Sequence, residues 1–225
     1  MNIAIIAAAG SGTRMASDRP KQFLLLAGTP VIIHTLKVFE QCESINKVIV
    51  VVPAAESAGF LSLAAKFGLR KVARVVPGGA TRAESVKRGL QAIRAATAEI
   101  VAVHDGVRPF VTVEEIDAVV AAAQTDGAAI LVAPVTDTIK QVSDGRIMQT
   151  LDRGELRRAL TPQCFRYELL RQAYQAADDT DPSVTDESVL VEKLGFPVSI
   201  VEGSPRNFKV TTAEDLVIAE AILGA

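Results

Sequence analysis

Asn2-Ile3-Ala4-Ile5-Ile6-Ala7-Ala8-Ala9-Gly10-Ser11-Gly12-Thr13-Arg14-Met15 opens the chain with a short apolar run that ends in glycines. Such a run reads as a strand buried on both faces. Similar runs follow at Lys47 to Val52, Val72 to Val76, Ile100 to His104 and Ala128 to Ala133. Helical signals separate them. Thr29-Pro30 is expected to open a helix, with threonine as the cap, proline at the first helical position, and Ile32, Leu36 and Phe39 on the apolar face. Ala54 to Phe67 reads as helical although Gly59 interrupts it. Thr81-Arg82-Ala83-Glu84 and Thr112-Val113-Glu114-Glu115 both carry the capping-box pattern, the second opening a helix to about Thr125. Strand and helix in alternation predict an α/β fold, a sheet with parallel crossovers covered by helices.

The rhythm breaks between Thr136 and Leu160. Ile139 to Val142, Ser143-Asp144-Gly145 and Ile147 to Leu151 read as a hairpin with an Asp-Gly turn, a projecting arm. Helices are expected near Tyr167 to Ala177 and Asp186 to Leu194, a late strand at Val198 to Glu202, and a last helix at Thr212 to Leu223. There is no internal repeat or domain-scale linker. The 225 residues fit a single domain, 1–225, with 136–160 as the arm.

Hydrophobic residues make up 49% of the chain, enough for a sizeable core, and aromatics only 4%, so alanine and valine must fill it. A formal net charge of -2 gives no global basic field for nucleic acid. Cys42 and Cys164 stand in no metal-ligand spacing and read as free buried thiols of a reducing compartment. No apolar stretch approaches the ~20 residues that span a bilayer. The first strand lacks the basic flank of a signal peptide. The expectation is a soluble cytoplasmic protein with neither membrane nor nucleic acid as partner.

The turn after the first strand carries the chemistry. Glycines let backbone N–H groups approach an anion, and a following helix would add its positive end. The turn is not a P-loop, because the Gly-Lys-Ser/Thr ending is missing. Nor is it a dinucleotide fingerprint, because the third glycine of G-x-G-x-x-G would fall at Met15. Lys21 alone would be a surface lysine. With Gly10, Gly12 and Arg14 it completes a set suited to phosphoryl or nucleotidyl transfer, where cations must face charge developing on phosphorus. Gly78-Gly79-Ala80-Thr81-Arg82 follows a strand and leads into a capped helix, so it belongs on the carboxyl edge of the sheet, where a tight loop suits a pyrimidine. Asp105 ends another strand on that edge, as a carboxylate able to meet magnesium-bound phosphate. Arg108-Pro109 is a rigid loop that places a cation there. His104 reads as structural, and His34 as a packed or surface residue. Of Arg153, Arg157 and Arg158, two are expected to be helix-surface charges. Asp178-Asp179-Thr180-Asp181 has no metal-loop spacing and reads as a solvated loop.

The assembled motifs A-A-G-x-G-x-R-M and Pro20-Lys21-Gln22 resemble the sugar-phosphate nucleotidyltransferases. More narrowly, they are similar to the 2-C-methyl-D-erythritol 4-phosphate cytidylyltransferases of the non-mevalonate isoprenoid pathway. His104-Asp105-Gly106-Val107-Arg108-Pro109, Pro134 to Lys140, Leu160-Thr161-Pro162-Gln163, Thr185-Asp186-Glu187 and Phe208-Lys209-Val210-Thr211 extend the likeness in order along the chain. The resemblance implies a three-layer, doubly wound, mostly parallel mixed sheet of Rossmann-like nucleotidyltransferase type. It implies a magnesium-dependent homodimer clasped by the arm, with CTP and a small sugar-alcohol phosphate as substrates and no protein-held metal site. By the same likeness Arg14 and Lys21 stabilise the transition state, and Arg153 and Lys209 hold the attacking phosphate. Ala8, Ala9, Gly10, Gly12, Gly79 and Ser85 line the CTP site. Asp105 sits where the substrates meet, and Arg108 and Thr138 lie near the acceptor. Ala80 departs from the acidic or polar residue often found there, and Gly106-Val107 from a common Ala-Ala pair. Ribitol 5-phosphate cytidylyltransferases share most of these motifs. Two other classes are a nicotinamide-dependent oxidoreductase, opposed by the displaced third glycine and by Lys21, and a non-catalytic nucleotide-binding module, opposed by the four cations together.

Overall fold

The computed structural model describes residues 1–10, 19–94, 98–177 and 184–224. Arg14, Gly12 and the acidic run at 178–181 therefore lie outside the described residues.

β1 (Ile3–Ala7) runs through the middle of a seven-stranded sheet, joined by β4 (Lys47–Val52), β5 (Val72–Pro77), β6 (Ile100–Asp105), β7 (Ala128–Pro134), β10 (Arg157–Arg166) and β11 (Ser199–Glu202). The spatial order is β11-β7-β10-β6-β1-β4-β5. β1 pairs in parallel with β4 and β6, β4 with β5, and β7 with β11. β10 alone among these runs antiparallel, between β6 and β7.

The pleat sorts side chains onto two faces. Ala4 and Ile6 of β1 join one core with Val48 and Val50. That face is covered by α1 (Val31–Gln41), α2 (Ala54–Lys66) and α4 (Val113–Asp126), through Leu36, Phe60 and Ile116 among others. Ile3 and Ile5 point the other way, into a second core with Val101, Val103 and Phe165. α3 (Arg82–Gln91), α5 (Tyr167–Ala176) and α6 (Glu187–Lys193) cover it with Val86, Leu170 and Leu190. Helix, sheet and helix make the three layers, and the mostly parallel α/β expectation holds.

Thr112 and Glu115 complete a full capping box on α4. Thr81 caps α3 through Glu84 N–H, but the Glu84 carboxylate reaches Ala80 N–H rather than the N–H of Thr81. The hairpin forms as β8 (Lys140–Ser143) and β9 (Arg146–Thr150), with Asp144 and Gly145 at positive φ in its turn. Its apolar Val142, Ile147 and Met148 are all exposed. α7 (Ala213–Leu223) closes the chain and packs through Ala219 against Leu26 and Val210.

Three expectations need correction. Thr29 and Pro30 do not open α1. They form β3 (Thr29–Pro30), paired with β2 (Leu25–Leu26) across Ala27 and Gly28, both at positive φ. The turn keeps Thr29 extended, so α1 starts one residue later, at Val31, without a side-chain cap. β10 was not anticipated at all. Pro162 stands in its middle, where a missing N–H argues against a central strand. The ladder with β7 shifts register between Ala159 and Gln163 and so accommodates it. In consequence Arg157 and Arg158 lie on a strand, not a helix, and residues 157–160, counted with the arm, belong to the central sheet.

α3 sits close on the sheet because Gly89 has no side chain: a Cβ there would fall 2.7 Å from Ile5 Cγ2 and 3.1 Å from Val51 Cγ2. Gly89→Ala raises helix propensity by about 1 kcal/mol. Overpacking against branched methyls costs about 1–3 kcal/mol. The clash should win, and urea unfolding should show net destabilisation; a more stable Gly89→Ala protein would contradict this packing.

Candidate active site

The carboxyl ends of β1, β5 and β6 open onto one cavity of about 460 Å³. Open α/β sheets bind ligands at this edge. Ala8, Ala9 and Gly10 line it from the exit of β1, Gly79 from the loop before α3 and Ser85 from the first turn of α3. Lys21, Asp105 and Lys209 line it as well. Eight of the residues picked from sequence are thus brought together, from five separate stretches of chain.

The loops are held by side chains behind them. Gln22 is buried, and its Nε2 donates to Ala8 O at 2.6 Å and Gly10 O at 3.2 Å. That ties the 3₁₀ turn Lys21–Phe23 to the end of β1 and sets Lys21 at the cavity wall. Across the cavity Gly79 N–H donates to Ser85 Oγ at 3.0 Å, and Ser85 Oγ donates to Thr81 O at 2.8 Å. Arg88 Nη1 donates to Gly78 O at 2.7 Å, and Arg88 pairs with Glu84, which accepts from Ala80 N–H at 2.7 Å. A Cβ on Gly78 would fall 2.1 Å from that of Ala9. Only glycine lets the two loops touch.

Asp105 is the electrostatic centre. Its side chain is 8% exposed. Arg82 Nε donates to Oδ1 at 3.1 Å, while Lys209 Nζ at 3.0 Å and Arg108 Nε at 3.3 Å meet Oδ2. Burial alone would raise its pKa, but Arg82, Lys209 and Arg108 together hold it well below the usual carboxylate range. Arg82 carries a second partner: its guanidinium forks onto Glu187 at 2.8 and 3.0 Å. Burial opposes the charge on Arg82, and Glu187 and Asp105 more than offset it. Three cations against two carboxylates leave this cluster positive. Lys21 adds to that field across the cavity. An anion is the ligand such a field selects.

Arg108 reaches Asp105 but does not line the cavity, and its Nη1 donates to Asn207 O at 2.8 Å. Arg153 and Thr138 are exposed at the base of the arm, outside the cavity, with Arg153 Nη1 donating to Thr136 O at 2.6 Å. The fold thus brings Lys21, Asp105 and Lys209 together, and leaves Arg153 and Thr138 apart from them. Among the described residues no group of three or more histidines, cysteines or acids is placed to hold a metal ion.

The family model for 2-C-methyl-D-erythritol 4-phosphate cytidylyltransferase matches residues 2–225. A relative of that name from Pelotomaculum thermopropionicum is 46% identical over 224 residues, 99% of this chain and 94% of its own. One from Geobacillus kaustophilus is 47% identical over 222 residues, 99% and 96% of the two chains. The chain belongs to the 2-C-methyl-D-erythritol 4-phosphate cytidylyltransferase family. Among solved structures, the cytidylyltransferase of Thermus thermophilus superposes with a TM-score of 0.80 at 36% identity, covering 99% of this chain and 98% of that one. The 4-diphosphocytidyl-2C-methyl-D-erythritol synthase of Anaerococcus prevotii gives 0.87 at 30%, covering 100% and 96%.

Four residues in or behind this cavity have no role of their own in the reading of the sequence: Gln22, Arg82, Tyr174 and Glu187. Three of them stand inside quoted motifs, but Arg82 and Glu187 are 105 positions apart, and only the fold shows that they meet. His104 is structural, as expected. It is fully buried, with Thr161 Oγ1 2.9 Å from Nδ1 and Arg108 O 3.2 Å from Nε2. Asp105 N–H also donates to Thr161 Oγ1 at 3.2 Å, so the histidine braces the strand end that carries the aspartate. Cys42 and Cys164 are free and buried, which raises both thiol pKa values.

Burial lowers the pKa of His104 from 6.5 to about 4, so the unfolded chain binds its proton more readily than the folded one. Stability from the neutral ring is complete above about pH 6.5 and declines as pH falls toward about 4, by roughly 3 kcal/mol at ~1.4 kcal/mol per unit. Chemical denaturation across that window should show the decline, and His104→Gln should flatten it. An equal acid slope in the variant would assign the effect to another group.

Proposed function

We propose that the protein transfers a cytidylyl group from CTP to 2-C-methyl-D-erythritol 4-phosphate, releasing pyrophosphate and giving 4-diphosphocytidyl-2-C-methyl-D-erythritol. The observation that carries this is the convergence of Lys21 and Lys209 on one cavity between two glycine loops, in a chain that matches the family over nearly its whole length. The loops at Gly10 and Gly79 suit a nucleotide, the cations its phosphates.

An oxygen of the acceptor phosphate attacks the α-phosphorus of CTP in line. The bond from that phosphorus to the bridging oxygen breaks, and pyrophosphate leaves with the electron pair. The attacking phosphate is already anionic near neutral pH, so no side chain need remove a proton. The buried neutral His104 is accordingly not needed as a base. Lys21, with Arg14 seven residues before it in sequence, favours charge building on the α-phosphoryl oxygens. Lys209 orients the acceptor phosphate, close to the Asp105 carboxylate that limits its reach. Among the described residues Asp105 is the one carboxylate that lines the cavity, which suits magnesium held mainly by triphosphate oxygens, since that ion takes one or two carboxylates plus phosphates. When bound, the ion neutralises part of the triphosphate charge.

The working form is a homodimer. Each arm exposes Val142, Ile147 and Met148 and touches little of its own chain, so a second copy is its natural cover. Arg153 and Thr138, at the arm's base, then serve the partner's cavity. No helix among the described residues is long and apolar enough to cross a membrane. Free cysteines and nucleotide chemistry fit the cytoplasm.

Pyrophosphate release should be measured with CTP, UTP, ATP and GTP crossed with 2-C-methyl-D-erythritol 4-phosphate and ribitol 5-phosphate. CTP with the erythritol phosphate should be the productive pair. Lys21→Ala should lose ~10²–10³ in rate. Arg153→Ala should also be crippled, yet the two variants mixed should regain activity, because one site of the mixed dimer is intact. Faster turnover with ribitol 5-phosphate would name the other acceptor. Near-normal Lys21→Ala would remove the mechanism, and mixing without recovery would remove the shared site.

A further inference from the structure

Thr185-Asp186-Glu187 is a motif without a task in the reaction so far, and its glutamate lies behind the cavity wall. Glu187 is 1% exposed at the start of α6. Arg82 Nη1 donates to its Oε1 at 2.8 Å and Oε2 at 3.0 Å, and Nη2 to Oε2 at 3.0 Å. The Tyr174 hydroxyl, from α5, donates to Oε1 at 3.0 Å. Glu187 N–H donates to Gln163 Oε1 on β10 at 3.1 Å, and Gln163 Nε2 donates to the neighbouring Asp186 at 2.9 Å. Besides the arginine, the carboxylate itself is held by Tyr174 of α5, while Gln163 of β10 pins the backbone that carries it.

A guanidinium is planar, so a fork held at its two terminal nitrogens also sets the direction of its Nε–H. In Arg82 that N–H points at Asp105 Oδ1. Oδ2 of the same carboxylate meets Lys209 and Arg108. Arg82 itself lines the cavity, where a loosened guanidinium would turn to the nearest phosphate. A buried carboxylate stripped of its arginine would in turn lie uncompensated, so the pair has strong reason to stay together.

We propose that Glu187 is a positioning residue for the cytidylyl transfer inferred above, on which this inference rests. It locks Arg82 onto Asp105 Oδ1, keeps that cation off the triphosphate, and leaves Asp105 Oδ2 to set Lys209 for the acceptor phosphate. Loss of Glu187 then harms acceptor use more than CTP binding, because the released Arg82 remains available to the nucleotide.

The test compares wild type, Glu187→Gln, Tyr174→Phe, Arg82→Lys and the Glu187→Gln/Arg82→Lys double variant. It reads acceptor kinetics at saturating CTP, CTP affinity by calorimetry, and the Arg82 Nε–H NMR signal where the arginine is present. Glu187→Gln should lower kcat/KM for the acceptor by about tenfold to a hundredfold, the scale of a small misplacement. Its CTP affinity should stay within about threefold, and the Arg82 signal should shift. The double variant should lose no more than the worse single one, since both cut the same link. Tyr174→Phe should act in the same direction by a smaller factor, and it decides the matter if Glu187→Gln does not fold. Unchanged acceptor kinetics, equal losses of CTP affinity and acceptor use, or multiplying losses in the double variant would overturn the proposal. A wild type inactive on the acceptor sinks the functional reading instead. In that event an unmoved Arg82 signal in Glu187→Gln also overturns the clamp, and a shifted one upholds it.

Discussion

The Asp105 carboxylate ends the strand beside β1 with Arg82 on one oxygen and Lys209 and Arg108 on the other. Burying a charge so deeply costs several kcal/mol, which only close, well-aligned partners offset. Its partners come from the start of α3, the turn after β6 and the segment before α7. Asp105 therefore does more than balance charge. It gathers two distant stretches and its own following turn, and leaves them with a positive excess that an incoming triphosphate can satisfy. His104 and Thr161 brace the strand end that carries it.

Much of the frame is legible before folding because it rests on local chemistry. β1, β4 and β6 are apolar runs of strand length, and the Thr112 capping box and the Asp144-Gly145 turn act within a few residues. The unread part is non-local. β10 carries Pro162 and two leading arginines, so nothing in its own residues advertises a central strand. Its place is set by burial between β6 and β7, with Cys164 and Phe165 feeding opposite cores. Thr29-Pro30 carries a genuine helix-start signal that loses to the adjoining Ala27-Gly28 turn.

The site divides in the same way. Gly10, Gly79 and Lys21 are visible because glycines after strands, with cations close behind them in sequence, suit an anion, and Lys209 is visible through the family likeness of Phe208 to Thr211. Gln22 and Glu187 are not, since a buried amide tying loop carbonyls, or a buried acid gripping an arginine, has meaning only once its partner is known. The antiparallel β10 matters here too. It carries the chain back from the arm into the sheet, so the arm is anchored to the strand beside the one that ends in Asp105. A dimer built through that arm would couple each cavity to the partner's sheet.

A crystal structure with CTP bound tests the central claim most directly. The account predicts the triphosphate between Lys21 and Lys209, with the Arg82 contact to Asp105 Oδ1 kept near its present 3.1 Å. A nucleotide seated elsewhere, or one that draws Arg82 away from Asp105 onto its phosphates, would contradict it.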